Sequence, residues 1–227
     1  MADGFDGIQA CVFDAYGTLF DYGSAAAGCT DVLGDRAAAL TTLWRDKQVQ
    51  YCFWRAAHGR HADFWQVTGE ALDHAMEALA ISDPALRKRL MELYLALAPF
   101  PEVPEMLGRL KRAGLRLAVL SNGAPWMLTA LVDQAGLADC FEALLSVEAV
   151  GAFKPHPKVY QLALDRLGLP ARAISFQSSN GWDAHAAASC GMRVVWCNRT
   201  GQRPERLPGA PDRRVASLAE LPALLGV

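Results

Sequence analysis

The sequence predicts an α/β fold, a doubly wound parallel sheet that carries an inserted block of helices. First, the largely apolar run at residues 8–13 stops at the carboxylate of Asp14, and Gly17 then signals a sharp turn. Second, short apolar runs alternate with helical patterns after Val103, which is typical of strand–helix–strand units. Third, residues 36–97 show helical periodicity and no strand signal.

The first strand is predicted at residues 8–13, whose composition suits a strand buried on both faces. Open parallel sheets bind ligands beyond the carboxyl ends of their strands, and Asp14 stands at such an end. Taken alone, Asp14 could be a nucleophile, a metal ligand or a helix cap. Residues elsewhere in the chain are needed to distinguish these roles.

Three or four helices are predicted next, because apolar residues recur at helical intervals from Leu40 to Leu97, with Trp54 among them. Residues 82–84 form a helix-start signal inside this block, and the proline-rich segment 98–101 ends the helical pattern. The chain is therefore expected to divide into a core domain of residues 1–21 and 98–227 and a helical insertion of residues 22–97.

The second half of the chain predicts alternating strands and helices, with several helices closed by a glycine. Residues 202–214, rich in proline and arginine, are expected to form a surface loop. The predicted strands are residues 115–120, 141–147, 173–176 and 194–197, and the predicted helices are residues 103–113, 128–135, 157–167, 184–190 and 217–225, the last with a capping pair of Ser217 and Glu220.

The composition excludes several classes of function. The chain has 227 residues and a net charge of -2, so it lacks the basic footprint of a nucleic-acid-binding protein. No apolar stretch reaches the roughly 18–20 residues that span a bilayer, and no signal peptide pattern opens the chain. The six cysteines include no C-x-x-C pair, which argues against a zinc site or a disulfide framework. A soluble, reduced, cytoplasmic protein is expected.

Polar side chains collect where the predicted strands end. Because such loops converge on one crevice of a doubly wound sheet, we expect these side chains to form a single site. Lys154, in a loop ahead of a helix, supplies a cation. The others follow the first, second and fourth strands of the chain, and they are Asp14, Thr18, Ser121, Asn122, Ser178, Ser179, Asn180 and Asp183.

Five motifs in this order resemble the haloacid dehalogenase superfamily. They are D-x-Y-G-T-L-F-D at residues 14–21, L-W-R-x-K-Q at 43–48, S-N-G at 121–123, K-P-x-x-x-x-Y at 154–160 and S-S-N-x-W-D at 178–183. Within the superfamily, the pattern is most similar to that of the L-2-haloacid dehalogenases, over nearly the whole chain. The resemblance implies a Rossmann-like core, a helical cap and a cytoplasmic homodimer that binds a small haloacid and neither nucleic acid nor membrane.

The sequence departs from the phosphatases of the same superfamily at two places. Their second aspartate, two residues after the nucleophile, is replaced by Tyr16. Their third loop has two acidic residues toward Mg²⁺, whereas here Ser179 and Asn180 leave only Asp183. Since Mg²⁺ prefers hard, charged oxygen ligands, no metal and no cofactor are expected.

The resemblance implies a reaction in two steps. The Asp14 carboxylate attacks the α-carbon of an L-2-haloalkanoate, the halide leaves with inversion, and an aspartyl ester forms. Water then hydrolyses the ester and releases a D-2-hydroxy acid. Lys154 would keep Asp14 ionised.

The resemblance also assigns roles to the other polar residues. Arg45 would stabilise the departing halide, with the side chain of Asn122 as a further donor. The backbone amides of Ser121 and Asn122, with Ser178 or its loop, would hold the substrate carboxylate. Without the motif context, Arg45 is a solvated helix residue and the Ser-Asn-Gly segment is an ordinary turn.

The hydrolytic water has its own candidates. Asp183 would steer or activate it, with Asn180 and Ser178 beside it, although Asp183 could also cap the next helix. Tyr160 would hydrogen-bond within the same network, or serve as a core tyrosine. Thr18 would bond Asp14 or its ester, or only the local backbone.

An apolar wall is expected around the halogen and the alkyl tail, because pockets for small ligands are mostly apolar. For two of its members, Val49 and Phe64, plain helix packing is an equal alternative. The wall comprises Tyr16, Val49, Phe64 and Trp182.

The five histidines are not expected to take part in the chemistry. His58, His61 and His74 are expected on solvated faces, and His185 at most near the site.

Two other functions remain open at this point. A Mg²⁺-dependent phosphatase of the same superfamily would lose activity with EDTA and regain it with Mg²⁺. A non-catalytic relative would bind 2-haloacids and release no halide.

Overall fold

The computed structural model describes residues 5–227, and within them the chain forms a six-stranded sheet. Every paired strand runs parallel to its neighbour, so the parallel sheet predicted from the sequence is confirmed. The strands are Ala10–Phe13 (β1), Arg116–Ser121 (β2), Ala143–Ser146 (β3), Ile174–Ser178 (β4), Arg193–Cys197 (β5) and Arg213–Val215 (β6).

The strand order, β3-β2-β1-β4-β5-β6, places β1 inside the sheet between β2 and β4. Phe13, the last residue of β1, pairs with Val119 on one side and Gln177 on the other. The chain order of the strands therefore reverses at β1, and in such sheets ligands bind in the crevice outside this reversal. Asp14 follows directly, at the carboxyl end of the central strand.

The helices alternate with strands only after the insertion. The α-helices described are Ser24–Ala27 (α1), Thr30–Leu33 (α2), Arg36–His58 (α3), Phe64–Ala78 (α4), Pro84–Tyr94 (α5), Val103–Arg112 (α6), Pro125–Gln134 (α7), Pro157–Leu167 (α8), Gly181–Ser189 (α9) and Leu221–Leu224 (α10). Short 3₁₀ helices cover Ala138–Cys140, Val147–Ala149, Ala171–Ala173 and Leu218–Glu220.

The helical insertion has local signals that fix where its helices begin and end. Gly59, with φ of 61°, ends α3 in the left-handed conformation that glycine adopts at little cost. The carboxylates of Asp63 and Asp83 accept backbone N–H groups at the starts of α4 and α5, and Pro84 occupies the first position of α5. Residues 36–97 form three helices, α3, α4 and α5, as predicted, and two one-turn helices, α1 and α2, precede them.

Three expectations about the fold need correction. Residues 213–215 of the predicted surface loop form β6, a short edge strand that pairs with β5. The predicted core face of α3 does not include Trp54, whose side chain is 57% exposed. Helix α9 begins at Gly181, three residues earlier than predicted, so Asp183 lies inside its first turn rather than ahead of it.

Other boundaries agree with the prediction. The helix predicted at residues 157–167 is α8, and Ser217 and Glu220 form the predicted capping box, here on the 3₁₀ helix Leu218–Glu220. No helix among residues 5–227 combines the length and the apolar character needed to cross a membrane.

Candidate active site

Asp14 lies in the crevice at the end of β1 and is 5% exposed. Its Oδ1 atom accepts a hydrogen bond from Lys154 Nζ at 3.1 Å. Its Oδ2 atom accepts one from Thr18 Oγ1 at 3.0 Å and one from Asn180 Nδ2 at 2.9 Å. Since a buried carboxylate is costly unless it is paired and hydrogen-bonded, these three donors are what allows Asp14 to remain buried as an anion.

Lys154 is a fully buried cation that bridges two carboxylates. Its Nζ atom lies 3.1 Å from Asp14 Oδ1 and 2.9 Å from Asp183 Oδ2, and its side chain is 1% exposed. The ring of Phe176 adds a cation–π contact, with Nζ 5.0 Å from the ring centroid. The ammonium therefore lies between the carboxyl end of β1 and the first turn of α9, and it balances one of the two negative charges.

The charges of this group shift one another. Burial lowers the pKa of Lys154, but the negative charges of Asp14 and Asp183 outweigh burial and hold the pKa above its ordinary value. Burial raises the pKa of Asp183, the charge of Asp14 raises it further, and Lys154 offsets only part of this rise. Lys154 is therefore firmly protonated, and Asp183 is a stronger base than an exposed aspartate.

Asp183 is held on its other oxygen by Tyr160, whose hydroxyl donates to Asp183 Oδ1 at 2.6 Å. Burial and the nearby Asp183 charge raise the pKa of Tyr160 well above its ordinary value, so the phenol keeps its proton. The expected hydrogen bond of Tyr160 within the network is present. Both oxygens of Asp183 have donors, and its position in the first turn of α9 does not make it a cap.

Thr18 links the nucleophile loop to the loop after β4. Its Oγ1 atom donates to Asp14 and accepts the backbone N–H of Ser179 at 2.8 Å. The Ser179 hydroxyl in turn donates to the carbonyl of Gly17 at 2.6 Å. Ser179, one of the polar residues predicted to collect at the strand ends, thus links the two loops.

Arg45 reaches the site from α3 of the helical insertion. Its Nη2 atom lies 3.2 Å from Asn180 Oδ1 and 3.4 Å from the carbonyl oxygen of Tyr16. Its Nη1 atom donates to Gln48 Oε1 at 2.7 Å. The guanidinium is thus linked to Asp14 through the side chain of Asn180, which is hydrogen-bonded to both residues.

Asn180 is the residue that joins the insertion to the nucleophile. It stands at the N-cap of α9, yet its side chain makes no capping bond. Instead, its amide nitrogen donates to Asp14 and its amide oxygen accepts from Arg45. Because the Asn180 side chain does not cap the helix, it is free to bond the groups of the site. The helix start loses the capping hydrogen bond that usually stabilises it.

The other strand-end residues mostly order the backbone. Asn122 Oδ1 accepts the backbone N–H of Lys154 at 2.9 Å, which leaves the amide nitrogen of Asn122 as a donor. The hydroxyl of Ser121 accepts the N–H of Gly123, and that of Ser178 accepts the N–H of Asn180, each at 3.1 Å. Ser121 and Ser178 are both fully buried, so their hydroxyls hold turns rather than point into open space.

A cavity of about 610 Å³ opens beside Arg45 and Asn180. Two of the four expected wall residues, Val49 and Trp182, line it. The other two are packed in an aromatic cluster, where the Tyr16 ring lies 5.3 Å from the Phe64 ring and 5.4 Å from the Tyr94 ring. The Tyr16 hydroxyl is buried without a hydrogen-bond partner.

A metal ion needs several ligating side chains grouped around one point. Among residues 5–227, no three or more histidine, cysteine, aspartate or glutamate side chains form a group that could hold an ion. Asp14 and Asp183, the two carboxylates in contact with Lys154, are both bonded to its ammonium.

The structure adds one residue to the site that sequence reasoning missed. Arg199, just after β5, donates to the carbonyl of Thr18 at 2.8 Å and pairs with Glu102 at 2.6 Å. Its guanidinium also lies 3.7 Å from the centroid of the Phe100 ring. Arg199 therefore holds the loop that follows Asp14 through the carbonyl of Thr18. In the sequence, only its position in an Arg-rich stretch after a strand could have indicated this contact.

The histidines lie outside the polar network. His185 Nδ1 is 3.0 Å from the carbonyl oxygen of Leu207, so it contacts the loop before β6. The expectation of a solvated face is wrong for His61, whose ring nitrogens are buried without partners and whose ring lies 4.7 Å from that of Phe153. Burial lowers the pKa of His61 accordingly.

Comparison with known proteins gives consistent matches along the chain. The model of the family described as haloacid dehalogenase-like hydrolase matches residues 8–191. An (S)-2-haloacid dehalogenase of Pseudomonas sp. (strain YL) is 44% identical over 214 residues, which cover 94% of this chain and 92% of that protein. Haloacetate dehalogenase H-2 of Moraxella sp. (strain B) is 36% identical over 221 residues and is covered to 99%.

Solved structures give a similar result. The structure of L-2-haloacid dehalogenase from Xanthobacter autotrophicus with chloropropionic acid covalently bound matches with a TM-score of 0.90 at 39% identity. The match covers 96% of this chain and 98% of that one, so the likeness includes the helical insertion as well as the sheet.

Proposed function

The chain belongs to the haloacid dehalogenase-like hydrolase family, and from that premise we propose that it hydrolyses short L-2-haloalkanoic acids to D-2-hydroxy acids. The observation that carries the proposal is the Lys154 ammonium between Asp14 and Asp183. It pairs with a buried carboxylate at a site where position 16 supplies no second acidic group. Such a carboxylate is suited to attack carbon.

The first step is a substitution at the α-carbon. An Asp14 carboxylate oxygen forms a bond to this carbon from the side opposite the halogen, and the halide leaves with the bonding electron pair. The configuration inverts, and the substrate becomes an ester of Asp14. Thr18, Lys154 and Asn180 support this step because they hold the carboxylate in one orientation before the substrate arrives.

The halide leaves toward positive charge. We propose that Arg45 receives it, with the amide nitrogen of Asn122 as a second donor. The guanidinium is always protonated and is held here by neutral oxygen atoms of Gln48 and Asn180, so its charge remains available to an anion. A preorganised cation of this kind lowers the barrier, because it stabilises charge that develops only as the bond breaks.

The second step hydrolyses the ester. We propose that Asp183 takes a proton from a water molecule, which attacks the carboxyl carbon of Asp14. The bond from that carbon to the ester oxygen breaks, the product leaves as a 2-hydroxy acid, and the proton passes to its new hydroxyl. Burial raises the pKa of Asp183, which suits it to accept a proton. The loss of the Asp14 charge once the ester has formed favours the ionised form of Asp183, which is the form that can act as the base.

The substrate carboxylate would be held by the backbone amides of Ser121 and Asn122, with the Ser178 turn beside them. The halogen and the alkyl tail would contact Val49 and Trp182 in the cavity beside Arg45. We assign Tyr16 and Phe64 to the wall behind it, since their rings pack against each other with centroids 5.3 Å apart. In this arrangement residues 22–97 act as a cap subdomain over the strand ends of the core.

We also propose that the reaction needs no metal ion. Mg²⁺ requires near-octahedral oxygen ligands. Asp14 and Asp183 are each bonded to an ammonium, and the Tyr160 hydroxyl occupies the other oxygen of Asp183, so an ion would have to displace Lys154. This donor set disfavours the phosphatase alternative.

The proposal is tested by halide release from L- and D-2-chloropropionate in the presence of EDTA. We expect release from the L substrate alone, with D-lactate as the product in chiral chromatography. The Asp14→Asn variant should release no halide, unless slow deamidation restores the acid. Activity on phosphate esters that EDTA removes and Mg²⁺ restores would favour the phosphatase, and substrate binding without halide release would favour a non-catalytic relative.

We propose two further properties. All six cysteines are free thiols, which suits a reducing, cytoplasmic setting and is tested by cell fractionation. A homodimer is expected from the resemblance, and light scattering on purified protein tests it.

A further inference from the structure

Gln48 is a buried amide to which the proposed mechanism gives no contact with the substrate. Its side chain is 1% exposed, and it lies three residues after Arg45 on α3. At this spacing two helical side chains lie side by side. The Gln48 oxygen accepts a hydrogen bond from Arg45 Nη1 at 2.7 Å.

The other end of the Gln48 amide is fixed by the neighbouring helices. Its nitrogen donates to Thr68 Oγ1 of α4 at 2.8 Å. The Thr68 hydroxyl in turn donates to the Phe64 carbonyl oxygen at 2.7 Å, so its proton is not available to Gln48. The Tyr94 hydroxyl of α5 lies 3.2 Å from the Gln48 oxygen, to which it can donate, and 3.1 Å from the Gln48 nitrogen, from which it can accept. Burial raises the pKa of Tyr94 to about 12, so this donor persists.

These contacts allow the amide only one orientation. If it were turned over, its NH₂ group would face the Arg45 guanidinium, and its oxygen would face the Thr68 hydroxyl oxygen, whose proton is already used. The packing of α3, α4 and α5 therefore determines where an acceptor stands beside Arg45.

Gln48 makes the shortest contact of the Arg45 guanidinium. The contact is 2.7 Å long, compared with 3.2 Å to Asn180 Oδ1 and 3.4 Å to the Tyr16 carbonyl oxygen. All three acceptors are neutral. An acceptor that fixes an arginine without a negative charge leaves its positive charge for another anion, whereas a carboxylate would neutralise it.

We infer that Gln48 is a positioning residue, which holds the Arg45 guanidinium in place and fully charged to receive the departing halide. The inference rests on the proposed function. It predicts that changes at Gln48 slow the cleavage of the carbon–halogen bond, most of all for the poorer leaving group. Chloride needs more stabilisation than bromide as it leaves, because it is the more basic anion.

The test compares L-2-chloropropionate with L-2-bromopropionate in single turnovers with enzyme in excess, and it measures the rate of halide release. For Gln48→Leu we expect the chloride rate to fall about 10- to 100-fold and the bromide rate by clearly less, since misplacing a catalytic group costs rates of this order. In an Arg45→Lys background, the same change should leave the bromide-to-chloride ratio unaltered.

A second variant keeps the test decisive if Gln48→Leu is unstable. Gln48→Glu retains an acceptor of the same shape beside Arg45 and should fold, although its second oxygen faces Thr68 Oγ1, whose proton must then turn from the Phe64 carbonyl to that oxygen. It should nevertheless raise the bromide-to-chloride ratio, because its carboxylate takes up the positive charge. A merely structural role of Gln48 would not produce this combination.

Cys52 offers a matched control, because it is buried one turn further along α3 and has no place in the proposed mechanism. Cys52→Ala should lower the melting temperature and leave the ratio unchanged. The inference is overturned if both Gln48 variants slow the two substrates equally or not at all. If the wild-type protein itself releases no halide, it is the proposed function that fails.

Discussion

The Nζ atom of Lys154 lies 3.1 Å from Asp14 Oδ1, although 140 residues separate them in the chain. The same ammonium lies 2.9 Å from Asp183 Oδ2, so one cation serves two buried carboxylates. In the proposed reaction the charge balance changes as the ester forms, because Asp14 then becomes neutral and Lys154 is left with Asp183 alone. The account of both chemical steps depends on this arrangement.

Replacement of Lys154 by methionine should destabilise the protein strongly. The change leaves two neighbouring buried carboxylates without their cation, and the loss of one partner from a buried ion pair costs about 3–5 kcal/mol. Urea denaturation followed by circular dichroism measures the free energy of unfolding. Lys158→Met, at an exposed lysine of α8, is the control and should change it by less than about 0.5 kcal/mol. Equal effects of the two changes would contradict the assigned role of Lys154.

The stabilisation by Lys154 should persist to high pH. The pKa of Lys154 in the folded protein lies above its ordinary value of 10.5, and we take that value for the unfolded chain. A raised lysine pKa contributes stability fully below the unfolded pKa, and this contribution is lost as the pH rises through the folded pKa. The melting-temperature difference between wild type and Lys154→Met should therefore stay constant up to about pH 10 and shrink only above it. A decrease already near neutral pH would contradict this.

Asp183→Asn should separate the two chemical steps. The substitution or ester-forming step uses Asp14, so one equivalent of halide should still appear per enzyme molecule. Hydrolysis loses its base and should slow by about 10²–10⁴-fold, the usual contribution of a general base. Mass spectrometry of the intact variant after reaction with L-2-chloropropionate should show the 1-carboxyethyl group of the substrate attached, and peptide mapping should locate it on Asp14.

Tyr160→Phe is the matched control for this variant, since it removes only the hydroxyl that donates to Asp183 Oδ1. It should slow turnover less than Asp183→Asn and should accumulate less ester. Repeated turnover by Asp183→Asn without any covalent adduct would remove Asp183 from the proposed role.

Much of the site could be predicted because parallel strands bring their carboxyl ends together. Asp14 and Asp183 follow β1 and β4, which are neighbours in the sheet, and Lys154 lies in the loop between β3 and α8. Alternating apolar runs reveal such strands, and hydrogen bonds then join the groups at their ends. The pattern of residues thus contains the topology on which this part of the site depends.

Other features depend on packing that a linear pattern does not record. The contact of Gln48 with Thr68 and Tyr94 requires the rotation of three helices about their axes. β6 was not predicted, because a three-residue edge strand is too short to show periodicity. Its first two residues, Arg213 and Arg214, are also typical of a surface loop. Asn180 resembles an ordinary helix cap, and only its observed side-chain contacts reveal that it bonds Asp14 instead.

The origin of the oxygen in the product tests the central step most directly. Enzyme in excess over L-2-chloropropionate would be allowed a single turnover in heavy-oxygen water, and mass spectrometry would examine both product and protein. If Asp14 forms an ester with the α-carbon, the lactate should contain ordinary oxygen in its new hydroxyl group, and the heavy atom should appear in the Asp14 carboxylate. Heavy oxygen in the lactate hydroxyl, with none in the protein, would show that water attacks the substrate directly and would contradict the account.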